Sequence, residues 1–344
     1  MKAVILEDIG KLKVTSMDIP TCGPGEVLVK LEACGICRTD LKCYTMGQRD
    51  LHLPRILGHE VAGTVAAMGE NVTNLSLGDR VQVAPGIPCG TCSYCLAGFD
   101  NLCDEMQIVG FHIDGGFAEY ILIPAADVKF GVLQPIPEHL SFAEAALTEP
   151  LACSVNIQDS MNLTPEDTLS IIGAGPLGIL NAQLARSRGV NRIIIAETKE
   201  NRLKLAEEFP IDYIINVKEK DLQQEVLAIT KGKGVDGVIP CCPGLEPFSQ
   251  GINLLAKKGK MGFFSGLIGK DNLGFDLNTI HYKELTVTGG YGCSLAHNQE
   301  ALRLIAEGQV QIKKMITRNL SLEEVEDGLE MIRNSSELSI VVNF

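Results

Sequence analysis

No apolar run in this 344-residue chain approaches the ~18 residues that suggest a membrane span. Positive charge is also scarce. Thirty lysines and arginines face 43 acids, giving a formal net charge of -13, and the basic residues are scattered. Such a balance leaves no electrostatic footprint for a nucleic-acid partner. The opening "MKAVILEDIG" holds an apolar stretch too short for a secretory leader, with acids directly behind it, so a cytoplasmic protein is expected. Internal repeats and low-complexity segments are missing as well. Cysteine, by contrast, is plentiful at 12 residues. Without an export signal a disulfide framework is disfavoured, which leaves these thiols for metal or chemistry.

The length exceeds what one core usually serves, so two domains are expected, neither necessarily contiguous. Residues 1 to about 135 read as short apolar segments broken by Gly and Pro: "AVILE", "EVLVKLEA", "GTVAAMG", "DRVQVAP", "FAEYILIP". That is the texture of a mostly β domain. The period then changes. "SFAEAALTEPLACSVNIQDSM" opens with Ser141 and Glu144, a capping box, and reads as one helix. From Leu169 onward "LSIIGAG", "RIIIAE", "DYIINV", "VDGVIP" and "KGKMGFF" alternate with amphipathic stretches, which implies a parallel α/β sheet covered on both faces. After "ELTVTGGYG" come two helices, the second capped by Ser321 and Glu324, and a closing strand, "LSIVVNF".

"SIIGAGPLG" sets Gly173, Gly175 and Gly178 in a G-x-G-x-x-G pattern between strand and helix. The first glycine permits the tight turn, the second lets the backbone approach a pyrophosphate, and the third lets helix and strand pack closely. The helix N-terminus then faces the anion. Glu197 lies 19 residues past Gly178, at the end of the next strand. A carboxylate there accepts from ribose hydroxyls and repels a 2′-phosphate, favouring NAD over NADP.

Cys89, Cys92, Cys95 and Cys103 form a quartet in "PCGTCSYCLAGFDNLC". Four thiolates at this spacing satisfy a closed, tetrahedral structural zinc; two disulfides, free thiols or an iron-sulfur cluster are the competing readings. The quartet does not need Cys34 or Cys37 of "ACGICRTD", whose own Cys-x-x-Cys spacing also fits a redox dithiol. A second site has to be assembled from elsewhere, with His59 and Glu60 of "GHE" and Glu149 of "TEPLAC" as candidates; a Cys/His/carboxylate set suits a catalytic zinc with an open position. An ordinary polar histidine and a helix-surface glutamate are the bland alternatives.

With "GICRTD", "GHE", the quartet, "TEPLAC" and "GAGPLG" in this order, the whole chain resembles the zinc-dependent medium-chain dehydrogenases, and "GHE" and "EPLA" are most similar to the sorbitol and polyol branch. The resemblance implies a doubly wound Rossmann sheet inserted in a GroES-like, mostly β catalytic domain. The divisions expected are 1-150 for the catalytic domain with its zinc lobe, 151-285 for NAD binding, and 286-344 for a C-terminal return. It makes Cys37 and His59 ligands of a catalytic zinc, with Glu60 and Glu149 as additional or exchanging ones. Neighbours in a strand point to opposite faces, so His59 and Glu60 both ligate only where the backbone bends. Thr39 is implied as the substrate proton's acceptor and Asp40 as the acid that orients the histidine. Cofactor contacts are expected at Arg38, Gly173, Gly175, Pro176, Leu177, Gly178, Glu197 and Arg202. The sequence departs from the simple-alcohol pattern at Lys42, where a proton-relaying histidine often sits.

The expectation is an enzyme with two zinc ions per chain and NAD, oxidising a sugar alcohol to a ketose and assembling as a homodimer or homotetramer. Tyr44 is a candidate pocket residue, and Lys42 and Arg49 are candidate phosphate contacts should the substrate be a polyol phosphate. L-Threonine is the third substrate option. A zinc-independent quinone reductase has no use for Cys37, His59 or the quartet, and a non-catalytic NAD-binding regulator would carry structural zinc alone. The other cysteines, Cys22, Cys34, Cys43, Cys153, Cys241, Cys242 and Cys293, are read as small buried apolar residues.

Overall fold

The computed structural model describes residues 1–266 and 276–344. The chain divides into two compact units, Met1–Ala152 with Cys293–Phe344, and Cys153–Gly292.

The first unit is built from both chain ends. Its main sheet runs Leu133–Pro135, Arg80–Val83, Glu60–Met68, Val27–Gly35, Ser339–Asn343 and Ile316–Leu320, with Tyr120–Ile123 also paired to Val27–Gly35. The closing strand, Ser339–Asn343, lies antiparallel to Val27–Gly35, placing Val341 opposite Gly35 and Val342 opposite Cys34. Alternation explains the pleat. In Val27–Gly35 the apolar Val27, Val29, Leu31 and Ala33 are fully buried whereas Lys30 is exposed. The β texture of the sequence conceals three short helices, Arg38–Met46, Ser93–Leu96 and Ala125–Phe130, the first of which starts inside "CRTD".

Among the described residues the second unit holds six strands, all parallel, in the order Tyr213–Asn216, Arg192–Glu197, Thr168–Ile172, Val235–Pro240, Leu255–Phe263 and Thr286–Gly289. The second and third strands in chain order lie to one side of Thr168–Ile172 and the remaining three to the other. Ligands bind such sheets at the carboxyl ends of the strands where the order reverses. All of Thr168–Ile172 is buried, as a strand covered on both faces must be.

The segment read as one helix is two, Phe142–Ala146 and Thr148–Met161, with Leu147 between them. Pro150 has no N–H to return to Ala146, so the ladder lapses one turn upstream of it. The Ser141–Glu144 capping box is present, Glu144 N–H donating to Ser141 Oγ at 3.2 Å and Ser141 N–H to Glu144 Oε2 at 3.1 Å. The Ser321–Glu324 box is present as well. A third box, Ser294 with His297, escapes the sequence because histidine replaces the usual Glu or Gln.

Candidate functional site

Cys37 closes the strand that ends at Gly35 and is the N-cap of helix Arg38–Met46, its Sγ accepting from Thr39 N–H at 3.4 Å. Asp40 reaches back to accept from Cys37 N–H at 2.8 Å with Oδ2. Its Oδ1 accepts from Gly58 N–H at 3.2 Å and lies 3.4 Å from His59 Nδ1. One fully buried carboxylate thus ties the helix start, the glycine turn and the imidazole together. The 3.4 Å contact is too long for an ordinary hydrogen bond, so His59 Nδ1 is a buried nitrogen without a hydrogen-bond partner.

Ligand atoms of Cys37, His59 and Glu60 all lie within 4.8 Å of one another. The strand rule against His59 and Glu60 converging does not apply, because the strand begins only at Glu60 and Gly58 sits at φ +92°. The left-handed turn at Gly58 bends the backbone ahead of His59. Gly35 stands opposite Glu60 in the ladder, and a Cβ there would overlap the Glu60 carboxylate. Neither glycine carried a signal in the sequence beyond its place beside "CGIC" and "GHE". Phe111, its ring centroid 5.3 Å from that of His59, was likewise missed.

The metal-free trio is crowded with protons. Burial first, then the Glu149 charge, pushes the Glu60 carboxyl up to about 8. Burial, followed by Glu60, raises the Cys37 thiol. Burial alone would lower His59, but Asp40 and Cys37 outweigh it and raise the imidazole well above its usual value. A divalent cation among these donors displaces the protons and supplies the missing positive charge. One soft sulfur, half-buried, with a buried imidazole and a buried carboxylate, fits zinc with a position left open.

Glu149 does not join this group; its carboxylate lies instead within 4.8 Å of the Cys293 thiol. It acts on the trio through its charge. Cys34, two residues from Cys37 in "CGIC", faces the core: it is fully buried, and a Cβ built on Gly58 or Gly116 would meet its Sγ at 2.9 or 2.7 Å. The two thiols therefore share no site. Thr39 Oγ1 lies 3.6 Å from Cys37 Sγ, and Arg38 is exposed at the first turn. Tyr44 donates its hydroxyl to Glu326 Oε1 at 2.7 Å, which ties the helix to Val325–Asn334. Arg49 is paired with Asp50 at 2.9 Å.

In the quartet, Cys89 and Cys95 sulfurs are 4.0 Å apart and those of Cys92 and Cys95 3.4 Å. A tetrahedron with Zn–S of ~2.3 Å has edges of about 3.8 Å, whereas a disulfide needs about 2.0 Å. All 12 cysteines are free. Backbone N–H groups already point at the sulfurs, from Thr91 and Cys92 to Cys89 at 3.5 and 3.3 Å, and from Cys89 and Glu105 to Cys103 at 3.2 and 3.3 Å. Donation by Thr91 and Cys92 brings the Cys89 thiol down to about 6. Burial, by contrast, pushes Cys95 up to about 12 until a cation arrives. Of the remaining seven cysteines only Cys34 and Cys43 are buried; the other five are half-buried, a correction to their reading as core residues. Cys241 and Cys242 follow strand Val235–Pro240 beside Gly173, and Cys242 Sγ donates to Ile172 O at 3.3 Å.

At the glycine turn Gly173 adopts φ +110°, and helix Pro176–Ser187 starts with Pro176 in its first turn, where a missing N–H costs nothing. A Cβ on Gly178 would overlap Gly173 O, and one on Gly175 would meet Arg202 Nη1 at 3.3 Å. Leu177 is half-buried at the helix start. Glu197 Oε2 accepts from Ala174 N–H at 2.9 Å, while Oε1 accepts from Thr198 and Lys199 N–H at 2.6 and 2.9 Å. Burial opposes ionisation, but these amides and Arg202 hold the carboxyl below its usual range. The acid therefore stays charged, and part of its accepting capacity goes to the turn itself.

Residues 23–132 match the alcohol dehydrogenase GroES-like domain, and residues 176–307 the zinc-binding dehydrogenase domain. The chain is 32% identical to sorbitol dehydrogenase of Halalkalibacterium halodurans over 99% of each chain. It is 35% identical to L-threonine 3-dehydrogenase of Pyrococcus furiosus, covering 93% of this chain and 92% of that one. A zinc-binding dehydrogenase of Sinorhizobium meliloti, solved with NADP, superposes with a TM-score of 0.92 at 34% identity, over 100% of this chain and 99% of the other. A chain that repeats both domains in sequence and in fold, with two thiolate-containing clusters and a glycine turn to match, belongs to the zinc-binding dehydrogenases and is a zinc- and NAD-dependent alcohol oxidoreductase.

Proposed function

We propose that the protein oxidises a secondary alcohol of a small sugar alcohol to the ketose, with NAD as acceptor. The observation that carries the reading is the convergence of half-buried Cys37 with buried His59 and Glu60, with Asp40 set against the imidazole. When bound, zinc favours ionisation of the alcohol hydroxyl and NAD accepts the hydride. Cys37, His59 and Glu60 hold the metal, and Asp40 fixes the ring of His59. Thr39, half-buried beside Cys37, takes the substrate proton and passes it to water, since Lys42 offers no imidazole relay. Glu149 adjusts the charge at Glu60 and serves as an exchanging acid. The turn Gly173–Gly178 and the start of its helix hold the pyrophosphate, with Arg38 and Arg202 as further contacts. The charged Glu197 disfavours a 2′-phosphate, hence NAD over NADP. The quartet Cys89, Cys92, Cys95 and Cys103 holds a structural zinc.

L-Threonine is the second reading, favoured by the Pyrococcus furiosus relative. An NADH-absorbance screen over polyols, polyol phosphates, L-threonine and simple alcohols separates the readings; turnover of threonine but of no polyol overturns the first.

The chain works as a homodimer or homotetramer. Strand Thr286–Gly289 is the sheet's last strand, helix Leu277–Lys283 buries none of its residues, and Leu277 and Tyr282 are 74% and 76% exposed. An open edge beside exposed apolar side chains favours pairing between copies. Light scattering that gives a monomer would refute it. No helix among the described residues is long and apolar enough to cross a membrane, and the working compartment proposed is the cytoplasm.

A further inference from the structure

We propose that His112 is a specificity-determining residue, its Nε2–H donating a hydrogen bond to a hydroxyl of an uncharged polyol beyond the reacting carbon. The inference rests on the reading of function above and narrows its substrate class.

Phe111 is buried, with its ring against His59, so His112 stands one residue from the wall of the metal site. The turn that carries both is firmly held: the N–H groups of Phe111, His112 and Ile113 all donate to Ile108 O, at 3.1, 3.0 and 3.4 Å. Ile108 N–H in turn donates to His112 Nδ1 at 3.1 Å. An imidazole that accepts at Nδ1 carries its proton at Nε2, which fixes both the tautomer and the direction of the donor. Burial keeps the ring neutral, helped by His52, Arg55 and Arg49 against the opposing pull of Asp50.

The surroundings define what that donor can meet. The exposed His52 ring lies 5.6 Å from that of His112; the backbone N–H of His52 donates to Phe111 O at 3.3 Å, and its backbone carbonyl accepts from Arg55 Nε at 3.1 Å. Arg55 is paired with Asp114 at 3.1 Å, and Arg49 with Asp50 at 2.9 Å. Each arginine of this rim thus has its carboxylate. A phosphate would find no uncompensated cation here and would face two acids, whereas a hydroxyl needs only a neutral donor. Arg49, a phosphate candidate on sequence alone, is already committed.

The experiment is steady-state kinetics of NADH formation by wild type, His112→Ala and His112→Gln on a polyol, its terminal phosphate and propan-2-ol, with zinc content and NADH binding checked for each protein. On the polyol kcat/KM falls about tenfold in His112→Ala, through KM, as expected for one lost hydrogen bond. His112→Gln, which keeps a side-chain N–H, recovers most of it. Propan-2-ol is oxidised equally by all three, and wild type prefers the polyol to its phosphate. Equal losses on polyol and propan-2-ol, no loss on either, or preference for the phosphate overturns the inference. A wild-type enzyme inactive on every polyol refutes the functional reading itself; one active on polyols and indifferent to His112→Ala refutes the role of His112 alone.

Discussion

Asp40→Asn is the substitution that most directly tests how the metal site is built. Asp40 is completely buried and accepts from Cys37 N–H and Gly58 N–H while its Oδ1 faces His59 Nδ1 at 3.4 Å. Asparagine keeps the shape but only one acceptor oxygen. Its amide nitrogen must then point a donor at one of those N–H groups, leaving two buried donors face to face. Hydrogen bonds to charged groups contribute about 1.5–3 kcal/mol, and an unsatisfied buried group costs a similar amount, so the metal-free protein loses about 2–3 kcal/mol. The negative charge that holds the His59 ring disappears too, and losing such a partner typically weakens a metal site 10–100-fold. The quartet provides an internal control, because its four sulfurs have no contact with Asp40. Chelator titration of the zinc-loaded protein should release one zinc from Asp40→Asn at a 10–100-fold lower chelator concentration while the second is retained as in wild type. Lower stability with unchanged affinity would make Asp40 a helix cap alone, and no change in either would refute the geometric argument.

Cys34→Ala should keep two zinc ions and full turnover at a cost of about 1 kcal/mol, that of a small core cavity, whereas Cys37→Ala should lose one zinc and its activity but still bind NAD; equal sensitivity of the two would restore a dithiol. In Gly178→Ala the methyl group overlaps Gly173 O, so NADH fluorescence titration should detect no binding while both zinc ions remain; retained affinity would show that the turn yields. Burial alone pushes Asp127 from 3.8 to about 6, and its Oδ2 is buried without a partner. A carboxyl whose folded-state pKa is raised favours the fold below pH 3.8, and that contribution is lost as pH rises through 6. Asp127→Asn should therefore stabilise the protein above pH 6, by at most about 3 kcal/mol, and make its stability relative to wild type grow as pH rises between these values; an unchanged denaturation profile would contradict this. Asp100 accepts from Leu295 N–H at 3.0 Å, at the start of helix Leu295–Ala306, so Asp100→Ala should cost about 1–2 kcal/mol and speed hydrogen exchange at that helix start; unaltered exchange would exclude the cap.

Local chemistry was legible where it was contiguous. The quartet, the glycine turn and the apolar strands of the second unit are each specified within about twenty residues, and spacing alone can reveal them. The glycines that let the proposed catalytic trio converge are set by pairing across the sheet, which no local pattern encodes. Gly35 matters because it stands opposite Glu60, and Gly58 because its left-handed turn lets His59 and Glu60 converge where a straight strand would have separated them. The strand rule was sound physics applied one residue too early, since the strand starts at Glu60 and not before it. Glu149 shows the opposite limit: its motif was visible, yet its carboxylate lies with Cys293, and its charge acts on Glu60.

The Cys-x-x-Cys spacing of "ACGICRTD" follows from a strand ending beside a helix start. Cys34 lies past the register shift between Leu31 and Ala33 and packs in the core, whereas Cys37 has left the strand and caps Arg38–Met46. A helix N-cap already requires a side-chain acceptor directed at backbone N–H groups, and a thiolate in that position is stabilised by the same dipole that a metal would reinforce. Cap and proposed ligand are therefore one requirement met by one atom, Cys37 Sγ. Asp40, three residues on, closes the capping box and supports His59 with the same carboxylate. Helix capping thus fixes the relative positions of the proposed ligand and its neighbour's supporting acid before any metal binds, and this explains how a sequence of four residues, "CRTD", can organise a site whose other proposed ligands lie more than twenty residues away.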